Sequence, residues 1–90
     1  SWTLKEQVKF DEKGITSQDW ESYPIMTFAE VPEIETILID RKDRPVLGAG
    51  EATQGPTAAA ISNAVFDAVG LRLRRIPFTP EMVLEAAAEA

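Results

Sequence analysis

One stretch of this chain is punctuated at both ends, and it constrains the fold more than any other. Gly55-Pro56-Thr57 opens it and Gly70 closes it. Between them Ile61, Ala64, Val65, Ala68 and Val69 recur at helical spacing. Proline at the first helical position gives up no hydrogen bond, and Gly55 is suited to the N-cap. Gly70 matches the left-handed residue that ends many helices. The pattern predicts a helix between the two glycines.

The other elements are shorter. Leu4–Phe10 has Leu4, Val8 and Phe10 at period two and predicts a strand, although Glu6 interrupts the row. Asp11-Glu12-Lys13-Gly14 predicts a tight turn in which Gly14 supplies a positive φ, with Ile15–Gln18 as the return strand. Pro24 and Pro32 break the stretch between residues 19 and 32. Glu33–Asp40, EIETILID, is rich in β-branched residues and predicts the longest strand, stopped by the charged turn Arg41–Arg44. Leu71–Phe78 alternates at first and loses phase at Arg75-Ile76, which predicts a short strand with a bulge. Thr79-Pro80-Glu81 then starts a last helix, with Thr79 as cap and Glu81 matched to the helix dipole. The expected class is α+β: a small sheet, made of a hairpin, a longer strand and a short strand, with two helices. The whole chain, 1–90, reads as one unit, strand-rich over 1–44, with a glycine loop, helix, strand and terminal helix over 45–90.

Composition removes several function classes. A chain of 90 residues supports only a thin core. A net charge of −6 opposes binding to nucleic acid, and no run of apolar residues approaches the ~20 needed to span a membrane. Cysteine and histidine are both absent, which excludes disulfides, Cys/His zinc sites and His-activated nucleophiles within these residues. Ser1-Trp2-Thr3-Leu4 does not resemble a signal peptide and reads as the interior of a longer chain.

The candidate for chemistry is Glu51, directly behind Gly48-Ala49-Gly50. So little side-chain bulk lets a ligand approach the peptide groups themselves, and a helix begins a few residues later. A carboxylate held there is suited to general-base work if its surroundings tune it. The alternative is an ordinary surface turn with a solvated acid. Glu30, Glu33 and Glu35 lack the loop-like spacing of a calcium site and read as an acidic edge. Trp20, Tyr23 and Phe28 read as interface residues, and Arg72, Arg74 and Arg75 as a polar strand face.

The order of motifs resembles a known family. Gly48–Glu51, Pro56, Asn63-Ala64-Val65-Phe66, Gly70, Arg72–Arg75 and Pro77–Glu81 resemble the C-terminal region of the molybdenum hydroxylases, the xanthine dehydrogenases and aldehyde oxidoreductases. Asp19–Tyr23 and Glu30-Val31-Pro32-Glu33-Ile34-Glu35 resemble the β-subunits of the isoquinoline 1-oxidoreductase branch, with Asp19-Trp20 where that branch has Asn-Phe. The resemblance implies a C-terminal fragment of a molybdopterin-binding large subunit. It implies that Glu51 is the general base activating Mo–OH, and that Gly48, Ala49 and Gly50 lie against the cofactor. The implied cofactor is molybdopterin, as the cytosine dinucleotide, held by the complete large subunit and not by these residues alone. The implied partners are the rest of that polypeptide, a small subunit carrying [2Fe–2S] clusters, and an N-heteroaromatic or aldehyde substrate. The chain is expected to be inactive by itself and prone to self-association. The alternative is a non-enzymatic, acidic α+β interaction module.

Overall fold

A computed structural model describes residues 1–89. Five regular elements follow one another. They are β1 (Phe10–Asp11), β2 (Gly14–Ile15), a one-turn 3₁₀ helix (Phe28–Glu30), α1 (Gln54–Val69) and α2 (Pro80–Ala88). The class is α+β, as the patterning predicts.

The hairpin forms where expected and is very short. Phe10 pairs with Ile15 and Asp11 with Gly14, antiparallel. Gly14 takes φ +132°, a value open to glycine. The Asp11 carboxylate accepts from the Lys13 N–H at 2.8 Å and fixes the turn. Upstream, the predicted strand does not form. The Ser1 carbonyl instead accepts from the N–H groups of Leu4, Lys5 and Glu6, which curls the first residues into a turn and buries Thr3.

Helix α1 starts one residue before Gly55, with Thr53 at the N-cap. The Gln54 N–H already bonds the Glu51 carbonyl at 3.2 Å, and the Thr53 carbonyl accepts from the Thr57 N–H and hydroxyl. Pro56 therefore occupies the third helical position, where its missing N–H is still not needed. Gly70 ends the helix at φ +75°, its N–H bonded to the Phe66 carbonyl at 2.8 Å. The inward line is the buried Ser62 with half-buried Ala58, Ile61 and Val65, whereas Ala64, Ala68 and Val69 face outward. Helix α2 is capped as predicted: the Thr79 hydroxyl accepts from the Met82 N–H at 3.3 Å. Met82, Val83 and Ala86 form its half-buried side.

Leu71–Phe78 is extended but pairs with no strand among the described residues. Its path bends at the cis Ile76–Pro77 peptide rather than at a β-bulge. This segment is the core of the chain: Leu73, Pro77 and Phe78 are buried. The Ser62 hydroxyl donates to the Leu73 carbonyl at 2.7 Å and ties α1 to it. The Phe78 N–H donates to the Thr3 carbonyl at 2.6 Å and ties the first turn to it. Of the described regular elements, only β1 and β2 contact each other, so the helices are organised through the extended segment.

The predicted strand Glu33–Asp40 is not a strand among the described residues, and every residue of it is exposed. The radius of gyration is 16.8 Å, against about 12 Å for a compact chain of this length. The accessible surface is 8174 Å², about 3,000 Å² more than a compact monomer of this size exposes.

Candidate functional site

Gly48, Ala49, Gly50 and Glu51 form the exposed approach to α1. A Cβ placed on Gly48 or Gly50 meets nothing within 4 Å, so the peptide groups are open to an incoming ligand. The Glu51 backbone carbonyl is used by Gln54, but among the described residues its carboxylate takes no hydrogen bond. Glu51 is exposed, and its carboxylate is thus without a partner among the described residues. The clefts lie elsewhere, and two of them flank residues 72–76: one against α2 at Met82 and Glu85, the other against α1 at Ala59 and Ser62. Among the described residues no three acidic side chains converge to hold a metal ion. A cofactor that brings its own metal ligands makes no such demand, and the bare backbone of Gly48–Gly50 fits its approach.

A second cluster joins motifs that stand apart in the sequence. Arg72 donates to the Asn63 side-chain oxygen at 2.7 Å, and its guanidinium lies 4.0 Å from the centre of the Phe66 ring. Asn63 and Phe66 are three residues apart and share one face of α1. The signal was present in that i, i+3 spacing followed by a basic residue just past the terminal glycine. The cation–π contact and the bond to Asn63 fix Arg72 rather than leaving it on a strand face.

The aromatic residues divide. Trp20 is 76% exposed and Phe28 fully so, while Tyr23 is half-buried with its hydroxyl donating to the Glu6 carboxylate at 3.0 Å. That bond and the nearby negative charge raise the Tyr23 pKa. Asp19 accepts from the Ser22 hydroxyl at 2.6 Å and from its N–H at 2.8 Å, which lowers the Asp19 pKa. An asparagine oxygen serves the same turn, so the change to aspartate preserves this geometry. Within the expected acidic edge, Glu30 is engaged. Both its oxygens lie 2.7 Å from the Lys5 ammonium, and one accepts from the Thr27 N–H and hydroxyl. The Lys5 bond, with help from Thr27, lowers the Glu30 pKa to about 2.

No family model matches the chain, and no solved structure matches it. Curated proteins do. The chain is 48% identical over 86 residues to a nicotinate dehydrogenase subunit of Pseudomonas putida, a match covering 96% of this chain and 7% of that protein. It is 30% identical over 89 residues to the aldehyde oxidoreductase molybdenum-binding subunit PaoC of Escherichia coli, covering 91% of the chain and 12% of that protein. It is 29% identical over 91 residues to the putative xanthine dehydrogenase molybdenum-binding subunit XdhA of Escherichia coli, covering 93% of the chain and again 12% of the relative. The chain therefore spans about a tenth of the length of these relatives. Nearly all of it aligns with them, from the Asp19 turn through the glycine loop to α2. By this likeness the chain belongs to the molybdenum hydroxylase family, as a segment related to the molybdenum-binding subunits.

Proposed function

We propose that the chain forms the C-terminal part of a molybdopterin-binding hydroxylase subunit of the isoquinoline 1-oxidoreductase type and contributes the general base, Glu51. The carrying observation is the 48% identity to the nicotinate dehydrogenase subunit across almost the whole chain. The open backbone of Gly48–Gly50 and the unengaged carboxylate behind it support the assignment of Glu51. When bound, the molybdenum cofactor, in its cytosine dinucleotide form, supplies the two-electron oxidation and the water-derived oxygen. The substrate is an N-heteroaromatic ring or an aldehyde, and the electrons leave through [2Fe–2S] clusters on a partner subunit. Glu51 accepts, at a carboxylate oxygen, the proton released as that oxygen is transferred. Gly48, Ala49 and Gly50 let the backbone lie close to the cofactor. The chain alone has one wall of the site and no enclosure, so it is inactive in isolation.

The test is Glu51→Gln in the complete, metal-loaded assembly. A positioned base contributes ~10²–10⁴-fold, so kcat falls by about that factor while molybdenum content is unchanged. Undiminished turnover removes Glu51 from this role. The non-enzymatic reading, an acidic module that docks through exposed apolar side chains, rests on the surface around Trp20 and Phe28. It predicts no molybdenum in the purified assembly.

A further inference from the structure

We infer that Glu33–Asp40 is a β-strand added to an open sheet edge in the rest of the molybdenum-binding subunit. The inference rests on the preceding reading, which supplies that remaining polypeptide. Four observations carry it. The segment has the most β-prone composition in the chain, with Ile34, Thr36, Ile37, Leu38 and Ile39 within six residues. Leu38 is 87% and Ile39 83% exposed, so neither has found a core. Between residues 32 and 40 no backbone N–H or C=O takes part in a hydrogen bond among the described residues. The surface in excess of a compact monomer, about 3,000 Å², is enough to supply one side of an obligate interface.

The pattern also describes the occupant. Ile37, Leu38 and Ile39 alternate across the strand and place large aliphatic groups on both faces, as in a strand covered above and below. Glu33 and Glu35 share one face at the other end, and residues 33–40 contain no Lys or Arg. The receiving edge therefore has apolar cover on both sides and basic groups opposite Glu33 and Glu35. The chain's own residues 45–47 do not qualify: Pro45 has no N–H to offer a ladder directly after the Arg41–Arg44 turn. A second copy is disfavoured. Two such strands side by side crowd the carboxylates of Glu33, Glu35 and Asp40 and leave both faces of Ile37–Ile39 in water.

The test is hydrogen–deuterium exchange of the complete, molybdenum-loaded enzyme, compared with its Ile37→Pro and Ile37→Val variants. The inference predicts that amides 34–39 exchange as slowly as the core strands of the large subunit. It predicts that Ile37→Pro loses this protection and that Ile37→Val keeps it. Loop-like exchange of amides 34–39 in a molybdenum-loaded, active enzyme overturns the inference and leaves the functional reading intact. Protection that disappears on dilution assigns the strand to a second copy and also overturns it. Absence of molybdenum from the purified enzyme is a failure of the functional reading, separate from the exchange pattern.

Discussion

At the scale of single residues, the strongest electrostatic feature is Glu30, held by the Lys5 ammonium and by the Thr27 N–H and hydroxyl. These contacts hold its pKa down from 4.5 to about 2. A depressed carboxylate stabilises the fold when ionised, so its contribution is complete above the ordinary value. The contribution declines as pH falls below 4.5 and is gone once pH passes the folded value. Both side chains keep solvent contact, so the effect is small and weakened by salt. Lys5→Met removes the principal cause. The Glu30 midpoint, followed by side-chain carbonyl NMR, is expected to rise and yet stay below 4.5, because Thr27 remains. An unchanged midpoint means that Lys5 is not what holds it. Glu51 differs in kind: the sequence marks it by the bare backbone ahead of it, and the structure leaves it without an internal partner among the described residues. Its proposed role as a base depends on protein outside this chain.

At the scale of elements, legibility followed locality. Features set within a few residues came out as read: the Gly14 turn, the Gly70 terminus and the Thr79 cap. Features that need a distant partner did not. The alternation of Leu71–Phe78 looks like a strand, yet its buried residues serve as a packing spine for two helices. The small alanines of α1 gave its period but not its inward side, which is set by Ser62 bonding the Leu73 carbonyl. That bond is buried, and its loss leaves a carbonyl without a partner. Ser62→Ala is expected to destabilise the assembled protein by about 1–3 kcal/mol, read as a lower urea midpoint at unchanged slope. Ser62→Thr tests the same spot with the hydroxyl kept. A midpoint insensitive to the alanine change means that the hydroxyl does not join α1 to the spine.

For the whole molecule, the deciding quantities are its spread and its surface. A radius of gyration of 16.8 Å goes with a thin core in which, among the described residues, Leu73, Pro77 and Phe78 are buried along one spine. Val46 is 98% exposed, and Phe10, Ile34, Leu47 and Leu84 are also in solvent. Apolar area on this scale exceeds what a soluble monomer normally shows. The 90-residue chain by itself is therefore expected to self-associate, with a sedimentation coefficient that rises with concentration. A monomer at every concentration would mean that the exposed side chains fold back on the chain in solution. No inspection of the sequence alone reveals this imbalance, because every apolar residue reads as a core candidate until the fold shows which of them find cover.

The bond from the Phe78 N–H to the Thr3 carbonyl has a consequence for tolerance to change. It closes the intervening polypeptide into a circuit. Enlarging a circuit is cheap: each doubling costs only about 0.6 kcal/mol of closure entropy. Extra residues spliced into the Arg41–Arg44 bend are therefore borne easily by the rest of the molecule. An odd number added between Ile34 and Ile39 is not, since it would turn the later aliphatic groups to the opposite side.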